Sequence, residues 1–456
     1  VLDPNPDPAA SHAERRRLFE LPRSSWADYD SRLISAGGGV HSRQLKSIAI
    51  TPEVREVLDL EPSVTSMRQD DLISAMLRAP VDLLWNGGIG TYVKGSSESN
   101  ADVGDRANDS LRVDGVDLRC RIVGEGGNLG LTQLARAEYA ISGGLIYTDA
   151  IDNSAGVDCS DHEVNIKIVL DQLVRDGELT VKQRNELLVE MTDEVARLVL
   201  DDNRAQTLAL MIARTQSLSM VNVHARYLDT LEAEGHLDRE LEFLPSDKQI
   251  AERQSAGSGL RAPEFAVMIA YTKNASVSEL LESDLPDELA VEPDLLEYFP
   301  VELRERFPDS IRSHRLRREI VATSVINNMV NLAGISFDHR MTEDSGASVS
   351  DVARAFLASR EIFGFADIWR EIDALGSSVS LDTQISLFLD ARRMAERGTV
   401  WLLRHRRPPL DILEAVDAFS AGLAFLSESL DQVVSDRVAT ELERVGRDRM
   451  GAGVPV

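Results

Sequence analysis

The stretch that most constrains the fold covers residues 118–167, because strand-like and helix-like patterns alternate within it. An apolar run over residues 119–123 ends in a GEGGNLG turn, and apolar residues then recur at helical spacing as far as Ile141. Residues 145–147 again favour a strand, and a polar loop leads from them into a long helix. Strands that alternate with helices are typical of a parallel sheet, whose ligands bind beyond the carboxyl ends of the strands.

Three predicted strand ends carry a polar turn that contains glycine. Asn86 follows the strand predicted over residues 81–85, Asn128 lies in the GEGGN turn, and Asn153 lies in the third turn. An asparagine amide has both a donor and an acceptor, so these side chains could bind ribose hydroxyls or a carboxamide. Alternatively, each asparagine only accommodates the geometry of its turn. Three such turns at consecutive strand ends favour a shared ligand crevice.

Several classes of nucleotide-binding or hydrolytic site lack their sequence motif. A complete G-x-G-x-x-G is absent, because Leu129 occupies the third glycine position. The sequence contains neither a Walker loop nor a G-x-S-x-G motif. Asp158, Cys159, Asp161 and His162 lack the spacing and second half-site that zinc requires, so we predict no metal site.

The loop predicted over residues 153–160 could hold an acidic substrate. Ser160 is a natural N-cap for a helix that begins at Asp161, and a helix N-terminus attracts a carboxylate. From about residue 151 onward the apolar residues recur at helical spacing, with no strand pattern. We therefore predict an α/β domain over residues 1–165, with an irregular insertion at about 11–79, and an all-helical domain over 166–456.

Composition restricts the partners and the compartment. A net charge of −27 argues against a nucleic acid or an anionic membrane as partner, because such a field repels phosphate. The two cysteines, Cys120 and Cys159, cannot form a disulfide framework and are expected to be reduced. The sequence has no apolar run long enough to span a bilayer and no secretory signal pattern, so we predict a cytoplasmic location.

Long strings in the first part of the chain resemble the large bacterial NAD-specific glutamate dehydrogenases. They are NADVGDRANDSLRV, VGEGGNLGLTQLARAEYA and TDAIDNSAGVDCSDHEVNIK, supported by PVDLLWNGGIGTYVK and LPRSSWADYD. The resemblance implies the second portion of a Rossmann-like NAD-binding domain, followed by the helical C-terminal domain of that family. It further implies oxidative deamination of L-glutamate to 2-oxoglutarate and ammonia, in a homo-oligomer expected to be a tetramer.

The same resemblance implies roles for individual residues. Asp3 matches the acidic residue on the adenosine ribose, and Asn153 lies by the nicotinamide and the substrate. The cofactor-binding positions are Asp3, Asn86, Gly87, Gly126, Asn128 and Asn153, and the substrate-binding positions are Asn153, Val157 and Ser160.

The family's catalytic residues do not match any position in this sequence. Its phosphate loop, catalytic lysine, proton-transferring aspartate and substrate-carboxylate lysines would all precede residue 1, so no catalytic residue is expected here and the isolated segment is expected to be inactive. Two alternatives remain open at this stage. One is a dehydrogenase for another amino acid, and the other is a non-catalytic oligomerisation or regulatory module.

Overall fold

The computed structural model describes residues 1–454, apart from the side chain of Asp431. Within these residues six short strands are present: β1 (Ile48–Ala49), β2 (Ser66–Met67), β3 (Leu83–Asn86), β4 (Val93–Lys94), β5 (Val113–Asp114) and β6 (Ile122–Glu125). The helices of the first part of the chain are α1 (Pro8–Glu20), α2 (Pro52–Val57), α3 (Gln69–Leu77), α4 (Asn100–Val103), α5 (Gln133–Ile141) and α6 (Asp149–Asp152).

The rest of the described chain is helical. Its helices are α7 (Ser154–Arg175), α8 (Val181–Glu190), α9 (Thr192–Thr215), α10 (Val221–Ala233), α11 (Asp247–Ser255), α12 (Ala262–Glu282), α13 (Glu292–Glu297), α14 (Val301–Arg306), α15 (Pro308–Arg312), α16 (Arg317–Ala333), α17 (Phe337–Ser345), α18 (Val349–Phe363), α19 (Phe365–Ala374), α20 (Leu381–His405), α21 (Ile412–Glu428), α22 (Leu430–Val433) and α23 (Asp436–Gly451).

The chain packs into two compact units, the first made of residues 1–153 and 261–263. In this unit β3 pairs with β6 in parallel, and β4 pairs with β5 in parallel. The strand predicted over residues 145–147 is reduced to a single parallel bridge between Leu145 and Ile122. The prediction of parallel strands alternating with helices is therefore confirmed, although the sheets are small.

Apolar residues from strands and helices meet in two cores in the first unit. One core surrounds β4, β5 and β6, and α5 adds Ala135 and Tyr139, which lie one turn apart and face the same side. Thr132 begins α5 by accepting a hydrogen bond from the backbone N–H of Ala135 at 3.2 Å. The second core lies among α2, α3 and the antiparallel pair of β1 and β2.

The second unit contains residues 154–260 and 264–456, and its described residues form no strand. In it α18 packs against α20 and α21, and α16 packs against α9 and α13. The prediction of a helical second half is confirmed, whereas the domain limits 1–165 and 166–456 stay a prediction. Within residues 1–454 no single helix is long and apolar enough to cross a membrane, and one pair, α16 with α17, reaches that composition only across an 88° bend.

The predicted loop over residues 153–160 is wrong. Helix α7 begins at Ser154, directly after Asn153, which is the C-cap of α6, and continues to Arg175. Ser160 is consequently inside the helix and is not an N-cap. Packing supplies the reason, since α7 buries Ile166, Leu170 and Leu173 and such burial stabilises a helix more than local propensity does.

Candidate functional site

The carboxyl ends of β3 and β6 lie side by side in the first unit. The parallel register places Asn86 opposite Glu125, the last residue of each strand. Beyond this point the backbone N–H of Gly127 donates to the carbonyl oxygen of Asn86 at 3.0 Å. Two of the three turns predicted from the sequence therefore share one edge of the sheet.

The glycines of the second turn allow a close approach of main chain and ring. A Cβ on Gly126 would lie 2.3 Å from Cζ2 of Trp85, and a Cβ on Gly127 would lie 2.4 Å from the carbonyl oxygen of Gly88. Position 127 therefore needs glycine, because the clash there is with backbone, whereas a side chain at position 126 would displace the Trp85 ring. Trp85 itself is 58% exposed, which leaves an aromatic face open beside the turn.

Two of the predicted asparagines contact each other. Asn153 Nδ2 donates to Asn128 Oδ1 at 3.3 Å, and the side chain of Asn128 is exposed. The amide nitrogen of Asn86 is buried and, within residues 1–454, has no hydrogen-bond partner. A Cβ on Gly130 would lie 1.8 Å from that nitrogen, so Gly130 leaves room for the amide.

A buried ion pair that the sequence analysis missed holds the GEGGNLG turn. Nε and Nη2 of Arg136 donate to the two oxygens of the Glu125 carboxylate, at 2.7 and 2.9 Å, and Glu125 is fully buried. The same carboxylate accepts the backbone N–H of Leu131 at 3.1 Å. The sequence signal for this pair was a glutamate at the end of a predicted strand and an arginine among the apolar residues of the next helix.

Helix α6 fixes the turn from its other side. Asp152 accepts the backbone N–H of Glu125 at 2.9 Å, and Asp149 accepts that of Leu129 at 2.8 Å. Asp149 also lies 3.0 Å from Arg136, so three carboxylates surround one guanidinium. Burial, together with the charges of Glu125 and Asp149, raises the pKa of Asp152 to about 6, despite the opposing hydrogen bond and Arg136.

Asp3 lies against a different loop of the first unit. Its Oδ1 accepts hydrogen bonds from the backbone N–H of Ser35, at 3.1 Å, and from the Ser35 hydroxyl. Its Oδ2 is buried and, in the described part of the chain, has no hydrogen-bond partner. One carboxylate oxygen of Asp3 therefore accepts hydrogen bonds from Ser35, and the other accepts none within the described residues.

Val157 and Ser160 belong to the second unit, on α7. Val157 is 67% exposed, and Ser160 is exposed as well. Because they stand three residues apart on a helix, they lie on neighbouring positions of one face. The helix therefore still exposes an apolar and a polar side chain next to each other, as the predicted substrate-binding loop would.

Two family models together match most of the chain. The model of the bacterial NAD-glutamate dehydrogenase catalytic domain matches residues 1–213, and that of the glutamate dehydrogenase C-terminal region matches residues 257–456. The chain is 49% identical to each of two proteins named NAD-specific glutamate dehydrogenase. One is from Pseudomonas aeruginosa, over 454 residues, and the other is from Mycobacterium tuberculosis, over 458 residues. The chain belongs to this glutamate dehydrogenase family.

The chain aligns along its whole length but spans only part of its relatives. Like those two proteins, the NAD-specific glutamate dehydrogenase of Halomonas elongata, 47% identical, is matched over 100% of this chain and 28% of its own length. The catalytic-domain match of this glutamate dehydrogenase family member extends through α7 and α8 and ends inside α9. Both the strand-end residues and Val157 and Ser160 therefore lie within the catalytic-domain match.

Proposed function

We propose that the protein containing this chain catalyses the NAD-dependent oxidative deamination of L-glutamate to 2-oxoglutarate and ammonia. Its relatives are named NAD-specific glutamate dehydrogenases. The observation that carries the proposal is the parallel edge of β3 and β6, where glycine turns and paired amides converge. In this proposal the first unit is part of a Rossmann-like domain and supplies one wall of the cofactor site.

The residues at the strand ends fit a dinucleotide. Gly88 has no atom near the position of a Cβ, and the amides of Asn128 and Asn153 offer both donors and acceptors. The unpartnered Nδ2 of Asn86 is a further donor at this edge. We assign Asn86, Gly87, Gly126, Asn128 and Asn153 to the cofactor, which supplies the hydride acceptor.

Two assignments rest on other parts of the chain. For Asp3 we propose the adenosine ribose, because its unpartnered Oδ2 can accept a hydrogen bond from a ribose hydroxyl while Oδ1 accepts from Ser35. For glutamate we propose Asn153, Val157 and Ser160. An exposed hydroxyl at Ser160 suits the carboxylate of glutamate, whereas an apolar residue would suit a neutral amino acid.

This chain's contribution to the reaction is orientation. Glu125, Arg136 and the α6 carboxylates hold the turn that presents Asn128, so the cofactor would meet amides that are already in place. We assign no proton-transferring residue to this chain. We further propose that the protein is a cytoplasmic homo-oligomer, a tetramer by its resemblance to the family.

Replacement of Asn153 by alanine in the full-length enzyme tests the proposal. We expect kcat/KM for glutamate and NAD to fall by about 10- to 100-fold, the loss typical of one or two polar contacts. Asn222→Ala is the matched control, because Asn222 is exposed on α10. Equal kcat/KM values for both variants would contradict the assignment, and absence of glutamate-dependent NAD reduction in the full-length protein would favour a non-catalytic module.

A further inference from the structure

An acidic cavity of about 410 Å³ lies within the second unit, between α7, α9, α13 and α16. In the described part of the chain no lysine or arginine lines it. Six carboxylates do: Asp158, Asp161, Asp201, Asp202, Glu297 and Glu319. A low-dielectric cavity with charges of one sign concentrates ions of the opposite sign.

Buried polar atoms in this cavity lack partners. His162 is only 2% exposed, and within residues 1–454 neither of its ring nitrogens has a hydrogen-bond partner. The carbonyl oxygens of the Asn165 and Asn331 side chains are also buried and unpartnered there. Buried polar groups are nearly always hydrogen-bonded, so several orphans around one cavity indicate a ligand that satisfies them.

The position of the His162 ring is fixed by packing. It stacks on Tyr298, with ring centroids 4.4 Å apart. The hydroxyl of Tyr298 accepts a hydrogen bond from Asn165 Nδ2 at 2.9 Å. The imidazole is therefore held against one face of the cavity while its nitrogens stay unpartnered.

Three metal-ligand groups converge at this point. Asp158 and His162 lie one turn apart on α7, with 3.8 Å between Oδ1 and Nε2, and Asp202 comes from α9. One donor atom from each of the three lies within 4.8 Å of the others. Zinc bonds of 2.0–2.1 Å in a tetrahedron place neighbouring donors roughly 3.3 Å apart, so small side-chain rotations would complete the geometry.

We propose that Asp158, His162 and Asp202 bind a divalent transition-metal cation, which joins α7 to α9. Two carboxylates and an imidazole, with no thiolate, suit Zn²⁺, Mn²⁺ or Co²⁺. The cavity is larger than an ion, so water fills the remaining coordination positions. Asp202 is the second half-site that the spacing within residues 158–162 lacks. This inference is independent of the dehydrogenase proposal.

Lys273 is the nearest competing cation. It lies half-buried on α12, and its ammonium donates to Gln206 at 3.2 Å. Burial lowers the pKa of Lys273 to about 8, although the charges of Asp202 and Asp158 oppose that shift. Asp201 pairs with Arg197, but one lysine cannot neutralise the five other carboxylates, so Lys273 does not remove the attraction of the cavity for a cation.

The test is a metal titration of the full-length protein after removal of metals with a chelator. We expect calorimetry with Zn²⁺ or Mn²⁺ to show one more bound ion per chain than in the His162→Gln and Asp202→Asn variants. Co²⁺ should give visible absorption bands that these variants lose. Asp201→Asn is the matched control, because Asp201 lines the same cavity but pairs with Arg197 at 2.7 Å.

The outcomes are decisive without any measurement of turnover. The proposal would be overturned if the unmodified protein and Asp202→Asn bound the same number of ions per chain. It would also be overturned if Asp201→Asn were the one variant that lost the ion. Should His162→Gln fail to fold by circular dichroism, Asp202→Asn still decides, because Asp202 is exposed. If the full-length protein binds the ion but does not oxidise glutamate, the metal site is supported and only the proposed activity is refuted.

Discussion

At the scale of single residues, the pair of Glu125 and Arg136 shows how a buried charge organises a turn. Glu125 is fully buried and Arg136 is 5% exposed, so water solvates neither charge well. The two hydrogen bonds from Arg136 and the one from the backbone N–H of Leu131 replace hydrogen bonds that the Glu125 carboxylate would make to water. A buried pair of this kind adds little net stability over an apolar pair, but removal of one partner alone leaves a buried, unpaired charge.

Replacement of Arg136 by methionine tests this role. We expect the free energy of unfolding to fall by about 3–5 kcal/mol, because Glu125 would be left buried without its partner. Arg197→Met is the matched control, since Arg197 is exposed and its loss should cost less than about 1 kcal/mol. Urea unfolding followed by circular dichroism measures both. Similar midpoints for the two variants would contradict the role given to Arg136.

His224 should make stability depend on pH. Burial and the charge of Arg340 lower the pKa of His224 to about 4, whereas an unfolded histidine titrates near 6.5. Between these values the unfolded state binds the proton and the folded state does not. The contribution of His224 to the free energy of unfolding is therefore complete above pH 6.5 and is lost as pH falls towards 4, by about 3 kcal/mol in all.

Denaturant unfolding at several pH values checks this expectation. In His224→Phe the pH dependence between pH 4 and 6.5 should become shallower, because only the contribution of His224 is lost, whereas His162, His314 and His339, whose pKa values burial also lowers, keep theirs. The control for replacing a histidine as such is His236→Gln, because His236 is exposed. A profile that keeps its slope in His224→Phe would assign the pH dependence to other groups.

At the scale of elements, α7 shows where the sequence pattern misleads. Residues 153–160 read as a loop because serine, glycine and asparagine are frequent there, and Ser160 precedes the apolar periodicity. In the structure the helix begins at Ser154 and buries its apolar side among neighbouring helices. The burial of this side outweighs the low helix propensity of serine, glycine and asparagine, which costs about 0.5–1 kcal/mol per residue relative to alanine.

Replacement of Ser160 by alanine distinguishes the two local structures. Inside a helix alanine is the better residue, so we expect no loss of stability, whereas loss of an N-cap would cost about 1 kcal/mol. Thr180→Ala is the positive control, because Thr180 caps α8 by accepting from the backbone N–H of Gln183 at 3.2 Å. Equal destabilisation of both variants would show that Ser160 is an N-cap after all.

At the scale of the whole molecule, the chain matches its family over its full length and 28% of the length of its relatives. The resemblance places the family's catalytic lysine and aspartate outside residues 1–456. We therefore expect the 456-residue chain alone to show no glutamate-dependent formation of NADH by absorbance, whereas the proposed function requires the full-length protein to show it. Turnover by the chain alone would mean that it contains catalytic residues we have not assigned.

Much of the first unit could be predicted from sequence. Parallel strands ending at Asn86 and Glu125, the tight glycine turn and the helix after it follow from residue types within short windows. The contact between Asn128 and Asn153 depends on α6, which the sequence pattern did not predict, because Asn153 follows that helix and not a strand. Arg136 and Asp149 could not be placed beside Glu125, because the sequence does not specify which face of α5 and α6 turns towards the sheet.

By itself the sequence determined the two parallel strands β3 and β6, the glycine turns after them, the helical second half and the family, because these depend on local pattern and on long identical strings. Only the tertiary structure decided that Ser160 lies inside a helix and that Asp202 joins Asp158 and His162. The physical reason is that burial and the meeting of distant helices depend on packing of the whole unit. No short window of sequence contains that information.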